Sequence, residues 1–141
     1  EYANFAEYFT TGLGSPENMS SQEIGLATTG WGPDFSSAYS FWAPLVDGRK
    51  IKPSSNQNFA ELNFDELNLL LDSLETSESP SESASISRAI ELLVMSEAVY
   101  LPYAVDRIVL YRSNELTDIY VQIALGNQYD LVNIGKRENI Q

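Results

Sequence analysis

The chain has 141 residues and a mass of 15.7 kDa, which is typical of a single domain with its own hydrophobic core. Hydrophobic residues make up 43% and charged residues 20%, a balance that indicates a globular protein rather than a disordered or membrane-spanning one. The chain has 20 acidic and 8 basic residues, so its net charge is −12. Because such a field repels phosphate backbones, we expect no nucleic-acid partner.

Two residue types are missing, and their absence excludes several kinds of site. Without cysteine there is no disulfide, thiol nucleophile or cysteine-ligated metal. Without histidine there is no Ser-His-Asp triad and no ordinary catalytic zinc site. The acids from Asp65 to Glu91 are predicted to lie on solvated helix faces, and no phosphate-binding loop or nucleophile elbow is present. We therefore expect no catalytic residue, no metal site and no cofactor.

The first third of the chain predicts a helix, a loop and a strand. Apolar residues at helical spacing predict an amphipathic helix over residues 1–11. Glycine and proline then predict a polar loop over residues 12–23. Residues 24–29 form a short apolar and threonine-rich run, which predicts a buried strand.

The middle of the chain predicts helices separated by polar segments. An aromatic cluster near residue 40 has the spacing of a helix face packed on the core, and Asp47-Gly48 predicts a turn. The basic residues that follow are expected to balance neighbouring acids, and the amide-rich residues 56–58 are expected to form a solvated turn. Asn63 is a predicted N-cap for a helix with an apolar stripe. The aromatic cluster, the basic residues and the stripe are Tyr39, Phe41, Trp42, Arg49, Lys50, Lys52, Phe64, Leu67, Leu70, Leu71 and Leu74.

The last part of the chain predicts a loop, a second helix and several extended pieces. The serine- and glutamate-rich residues 76–85 are predicted to be a surface loop or linker. A helix is predicted from about residue 86 to Val99, with extended pieces over residues 100–103 and 107–111. Residues 119–125 and 129–134 flank Gly126-Asn127, which predicts a hairpin or two neighbouring strands. The mixture of helices and strands is α/β or α+β.

The loop after the predicted strand holds the strongest candidate for a ligand site. Trp31 offers an aromatic face, and the carboxylate of Asp34 can hold a ligand ammonium through charge-assisted hydrogen bonds. Gly30 and Gly32 flank the tryptophan and free the backbone around it. The alternative from local pattern alone is that Trp31 is a core residue and Asp34 forms a turn after Pro33.

Several short motifs occur in an order that resembles a known family. They are TGWGPDF at residues 29–35, LVDG at 45–48, NQNF at 56–59, YLPY at 100–103 and QYDL at 128–131. Together they resemble the C-terminal part of the family 5 extracellular solute-binding proteins of ABC importers, and the GWGPD motif is most similar to that of actinobacterial members. One departure is Ser36-Ser37-Ala38, where many relatives have an Asp-Pro pair.

The resemblance implies a fold and an organisation. The implied fold class is α/β, as part of lobe II of a type 2 periplasmic-binding-protein clamshell. Residues 1–141 would then be one C-terminal portion of a longer protein, which is consistent with a start at Glu1 instead of methionine. Residues 24–103 would belong to the ligand-binding lobe, and residues 104–141 would return as strands toward the other lobe.

The resemblance also implies a function and binding residues. The expected role is a non-catalytic, extracellular substrate-binding component that captures oligopeptides, with an ABC permease as partner and a lipid anchor in the parent protein. Asp34 would pair with the peptide ammonium, Trp31 would line a side-chain pocket, and Gly30 and Gly32 would let backbone groups approach. The alternatives are another solute, such as a sugar or metal chelate, or a carbohydrate-active domain with paired carboxylates.

Overall fold

The computed structural model describes residues 4–107, 109–122 and 128–137. Its helices are α1 (Phe5–Glu7), which continues as a π-helix (Tyr8–Gly12), α2 (Pro16–Ser21), α3 (Ala38–Val46), a 3-10 helix (Gly48–Lys50), α4 (Asp65–Glu75) and α5 (Pro80–Ser96). Its strands are β1 (Leu116–Thr117), β2 (Val121–Gln122), β3 (Gln128–Tyr129) and β4 (Gly135–Lys136). Within these ranges, no helix is long and apolar enough to cross a bilayer.

The hydrophobic core lies where α3, α4 and α5 pack together. In α4, Leu67, Leu71 and Leu74 are buried at the spacing of one helix face, so the predicted apolar stripe is confirmed. Ile90 and Val94 of α5 are buried against them, and α3 contributes Ala43, Leu45 and Val46. The predicted packing of the aromatic cluster is also confirmed, because Tyr39, Phe41 and Trp42 lie against this core.

The helix starts differ from the prediction in two places. Helix α5 begins at Pro80, inside the predicted loop of residues 76–85, because the Oγ atom of Ser79 accepts a hydrogen bond from the Glu82 backbone N–H at 3.2 Å. The Glu82 carboxylate accepts in turn from the Glu78 N–H, one residue before the N-cap, in an arrangement similar to a capping box. Asn63 was predicted to cap α4, but Phe64 occupies that position without a side-chain hydrogen bond.

The N-terminal part of the chain confirms one prediction and contradicts another. The helix predicted over residues 1–11 is present from Phe5 to Gly12 in the described residues. The predicted polar loop, however, contains α2, which begins at Pro16 after the side chain of Ser15 caps it. Proline at the first helical position after a serine cap is a known start signal, and the loop interpretation missed it.

Residues 24–29 do not form the predicted buried strand. No strand partner for them exists within the described residues, and all but the half-buried Ile24 are exposed. Leu26 is 89% exposed. An apolar run needs a neighbouring layer to bury it, and the described part of the chain does not supply that layer.

The amide-rich residues 56–58 are not the solvated turn that their composition predicted. Asn56 and Asn58 are only 2% and 1% exposed. The Asn58 side chain donates to the Leu62 carbonyl at 2.8 Å and accepts from the Leu62 N–H at 3.0 Å. These bonds close the loop before α4 by substituting for a missing backbone partner.

The C-terminal part combines an unpaired segment with paired strands. β2 pairs with β3 in antiparallel fashion and β1 pairs with β4, so the two ladders are nested as in one hairpin. This confirms the prediction of neighbouring strands, while residues 123–127, including Gly126-Asn127, lie outside the described residues. The predicted extended pieces at residues 100–103 and 107–111 contain no helix, turn or paired strand where they are described.

Candidate ligand-binding site

The loop at residues 30–36 connects the unpaired residues 24–29 to α3. Trp31 is half-buried against the core, and its indole Nε1–H donates to the backbone carbonyl of Phe41 at 2.9 Å. The hydroxyl of Ser40 donates to the carbonyl of Phe35 at 2.9 Å. Two hydrogen bonds to α3 residues thus hold the loop on either side of residue 34.

Asp34 lies at the bend between these two attachments. Its side chain is exposed, and no hydrogen bond or ion pair reaches it from the residues that the structure describes. An unpaired carboxylate on a fixed backbone is suited to a cation from outside, such as an ammonium group. Trp31 and Asp34 are therefore brought to one loop, but Trp31 serves partly as a core residue.

Gly30 and Gly32 leave open space on both sides of Trp31. A Cβ atom built on either glycine would meet no heavy atom within 4 Å. Neither glycine is therefore required by packing in the described chain, in contrast to Gly48, where a Cβ would collide with the Asn63 side chain. Open space at these positions is compatible with the close approach of a ligand backbone, and their role in binding stays a prediction.

The four predicted site residues line neither of two clefts found among the described residues. One has a volume of about 330 Å³ and is lined by Tyr8, Leu13, Met19, Ile24, Leu26, Ala27 and Thr28. The other has a volume of about 360 Å³ and is lined by Pro44, Arg49, Lys50, Ile51, Lys52, Ser55 and Gln57. No carboxylate lines either cleft, so neither has the paired acids that a glycoside hydrolase requires.

The basic residues beside the second cleft are held by a buried acid, Asp47. Asp47 is only 1% exposed. Its carboxylate accepts hydrogen bonds from the Arg49 backbone N–H at 3.0 Å and from the Arg49 Nε–H at 2.9 Å. Arg49 also bonds Asp72 of α4, and Lys50 Nζ lies 3.7 Å from Asp47 and 4.9 Å from the ring centre of Tyr39. The prediction that the basic residues balance neighbouring acids is confirmed for Arg49 and Lys50, whereas Lys52 forms no ion pair with the described residues.

The same contacts shift the acid–base equilibria of the cluster. Burial alone would raise the pKa of Asp47, but the hydrogen bonds from Arg49 and the charges of Arg49 and Lys50 outweigh it and lower the pKa below its ordinary value. The hydrogen bond from Arg49 likewise lowers the pKa of Asp72. Only the turn at Asp47-Gly48 was visible in the sequence, because the burial of Asp47 depends on α4.

The described residues offer no cluster of three or more carboxylates that could hold a metal ion. Asp130 near the C-terminal strands accepts from Asn133 and from the Val132 N–H, and these bonds lower its pKa. That arrangement is a closed local turn rather than an open ligand set.

Comparison with known proteins adds one similar structure. No protein-family model matches the chain, and no curated protein sequence matches it. A solved structure titled "Clavulanic acid biosynthesis oligopeptide binding protein 2" matches with a TM-score of 0.88 and 40% sequence identity, over 98% of this chain and 25% of that chain. This chain thus spans about a quarter of that protein's length. The match confirms the predicted α/β fold as part of a periplasmic-binding-protein fold.

Proposed function

We propose that the chain forms one wall of the ligand cleft of a non-catalytic substrate-binding protein that captures oligopeptides. The observation that carries this proposal is the match to an oligopeptide-binding protein over 98% of the chain at 40% identity. The second support is local, because Asp34 is exposed and unpaired on a loop that two hydrogen bonds hold in place.

In this proposal the peptide ammonium binds to the carboxylate of Asp34, while Trp31 borders a neighbouring side-chain pocket. The open space around Gly30 and Gly32 admits the peptide backbone, whose hydrogen bonds give affinity without selecting side chains. Lobe closure around the ligand then creates the surface that a permease recognises. Because one wall supplies only part of these contacts, we expect the 141-residue chain alone to bind peptides weakly or not detectably.

The wider setting belongs to the same proposal. We assign the chain to a family 5 solute-binding protein, as the part of lobe II that the motifs of the sequence indicate. Its place would be outside the cell, on a parent protein attached to the membrane by a lipid and working with an ABC importer.

The test is native mass spectrometry on the longest natural polypeptide that contains this chain, purified without refolding. We expect co-purifying masses that fragment as short peptides and that disappear in an Asp34→Asn variant. The matched control is Asp65→Asn, which changes an exposed acid at the start of α4 and should retain the peptides. Sugars or metal chelates in place of peptides would contradict the ligand while leaving the fold in place.

A double comparison isolates the proposed contact. Removing one partner of a desolvated charge pair costs about 2 kcal/mol or more, which is roughly 30-fold in Kd. Acetylation of the peptide amino terminus and the Asp34→Asn change should each produce this loss, and the combination should cost no more than either one. Losses that add would show that Asp34 does not contact the ammonium.

A further inference from the structure

The second cleft, beside Asp47, collects much of the positive charge of an acidic chain. Three of the 8 basic residues line it, although the net charge of the chain is −12. They are Arg49, Lys50 and Lys52. The volume of the cleft, about 360 Å³, lies in the range typical of small-molecule pockets. Because no carboxylate lines this cleft, its lining favours an anion over a cation.

Two of these cations are already engaged by other side chains. The Arg49 guanidinium donates to Asp47 through Nε and Nη2, and to Asp72 through Nη1 and Nη2, at 2.8 to 3.2 Å. These bonds use most of the N–H donors of an arginine. The Nζ atom of Lys50 donates to the Tyr39 hydroxyl at 3.0 Å and lies 3.7 Å from Asp47. Neither cation is therefore free to serve as the main anchor of a ligand.

Lys52 is the cation of this cleft that has no partner in the described part of the chain. Its exposed side chain makes no ion pair and no hydrogen bond there. The side chains of Ser55 and Gln57 also line the cleft and have no hydrogen-bond partner among the same residues. An ammonium, a hydroxyl and an amide can each donate to an oxyanion. One cleft thus combines one available positive charge with two available neutral donors.

The loop that carries these donors is held in place by the N-terminal part of the chain. The Ser55 N–H donates to the carbonyl of Thr10 at 3.0 Å, and the Asn56 N–H donates to the carbonyl of Gly14 at 2.9 Å. Ser55 has a φ of 55°, a left-handed conformation that persists in a serine only where the surrounding structure imposes it. A loop that is fixed in this way loses little entropy when a ligand binds, which favours binding to a preformed site.

The local charge indicates which anion fits the cleft. Three cations line it and two acids, Asp47 and Asp72, contact them, so one positive charge is left uncompensated. Glu75 is the next acid near Lys50, beyond ion-pair distance. A carboxylate carries one negative charge, whereas a phosphate group carries about −1.5 to −2 at pH 7. The charge of the cleft therefore matches a carboxylate.

We propose that this cleft binds a small carboxylic acid, with the carboxylate on the Lys52 ammonium and the apolar part against Pro44 and Ile51. Pro44 and Ile51 are half-buried and line the cleft beside the basic residues. Ser55 and Gln57 supply further hydrogen bonds to the carboxylate oxygens. None of residues 30–36 lines this cleft, so the site is separate from the candidate peptide contact and does not depend on the proposed function.

The test uses butyrate, a carboxylate with a short apolar chain, and the longest natural polypeptide that contains this chain. Saturation-transfer NMR detects contact through the methyl protons of butyrate, and we expect a saturable signal with a Kd in the millimolar range. Butanamide has nearly the same shape without the charge and should bind about tenfold more weakly. Equal binding of the two compounds overturns the proposal, and so does the absence of butyrate binding.

Substitutions of Lys52 connect the butyrate signal to the cleft. Lys52→Gln should raise the Kd of butyrate about tenfold, because it removes a charge-assisted hydrogen bond, and should leave Tm unchanged, because Lys52 is exposed. Lys52→Arg keeps the charge and should restore most of the affinity. Lys136→Gln is the matched control, since Lys136 is an exposed lysine on β4, and it should leave the Kd unchanged. Equal weakening by Lys52→Gln and Lys136→Gln would assign the effect to overall charge and overturn the proposal.

Two further measurements identify the anion and separate this site from the proposed function. Inorganic phosphate should displace butyrate only at concentrations above those at which butyrate itself binds. Displacement by a lower concentration of phosphate would assign the cleft to phosphate and overturn the choice of a carboxylate. Asp34→Asn should leave butyrate binding unchanged, whatever it does to peptide binding. Loss of the butyrate signal in Asp34→Asn would place butyrate in the peptide cleft and overturn the proposal.

Discussion

Asp47 is the buried acid on which the turn between α3 and α4 depends, so its replacement by asparagine tests the reasoning about this turn. The carboxylate accepts from the Arg49 backbone N–H, from Nε and, at 3.2 Å, from Nη2. Asparagine preserves the shape and can still cap the 3-10 helix, but it removes the negative charge and places an NH₂ group beside the guanidinium. The change therefore isolates the charge-assisted bonds from the cap.

The expected cost follows from the geometry. A hydrogen bond to a charged group contributes about 1.5 to 3 kcal/mol. Because Asp47 is buried, water cannot take the place of a lost hydrogen bond. We expect Asp47→Asn to lower the free energy of unfolding by about 2 to 3 kcal/mol. At roughly 0.3 kcal/mol per degree for a chain of this length, Tm should fall by about 8 °C. Asp47→Ala should cost about 1 kcal/mol more, because it also removes the cap.

The effect of Asp47→Asn should depend on pH with a definite sign. The pKa of Asp47 is lower in the folded chain than its ordinary value of 3.8. Its stabilisation is therefore complete above the ordinary pKa and is lost as pH falls through the lowered, folded pKa. The difference in stability between the unmodified chain and the Asp47→Asn variant should be largest near pH 7 and should shrink below about pH 4.

Urea unfolding monitored by the fluorescence of Trp31 and Trp42 measures this difference at pH 7 and pH 3. Asp72→Asn is the control, since Asp72 is exposed and shares Arg49, and its effect should be much smaller. A difference below about 0.5 kcal/mol at pH 7, or one that is equal at both pH values, would refute the role assigned to Asp47.

Three further predictions test local contacts. Asn58→Ala leaves the N–H and C=O of Leu62 without their side-chain partner and should cost about 2 to 3 kcal/mol in chemical unfolding; a cost below 1 kcal/mol would argue against these bonds. Ser79→Ala removes the cap of α5 and should cost about 1 kcal/mol, with faster amide exchange only in the first turn of that helix. Gly48→Ala should lower Tm markedly, whereas Gly30→Ala should not, because a Cβ at residue 48 would collide with Asn63 while a Cβ at residue 30 would meet open space; equal shifts would contradict the packing.

Local periodicity predicted the helical core well because its information lies within single helices. Leu67, Leu71 and Leu74 are four and three residues apart, so one face of α4 is apolar in any tertiary setting. Burial of that face required only that some other apolar face be present, which α3 and α5 provide.

Other features failed because burial is a property of neighbours. Residues 24–29 have the composition of a buried strand, yet composition does not say which layer covers them, and the described chain contains none. Asn58 shows the opposite error. Its polar side chain predicted solvent exposure, but the residue is buried, with its side chain hydrogen-bonded to Leu62. Neither result can be obtained from windows of a few residues.

The location of the candidate site is still a prediction from the sequence, and its geometry could not be predicted. A tryptophan and an acid in a glycine-rich loop predicted a ligand site, and the roles of Trp31 and Asp34 stay predictions. The bond from Trp31 to the carbonyl of Phe41, ten residues later, depends on how α3 folds back beside the loop. The burial of Asp47 likewise arises from the approach of α4 and could not be seen locally.

The hydroxyl of Tyr100 lies 3.1 Å from the carbonyl oxygen of Leu45, to which it donates, and its ring packs on the core. This bond satisfies a carbonyl in the last turn of α3 that lacks a helical partner. It also immobilises the residue immediately before Leu101. Because the chain is fixed at Tyr100, the residues that follow have already lost part of their conformational freedom, so less conformational entropy remains to be lost when they become ordered. Tyr100 thus fixes the position at which the following chain leaves the helical core.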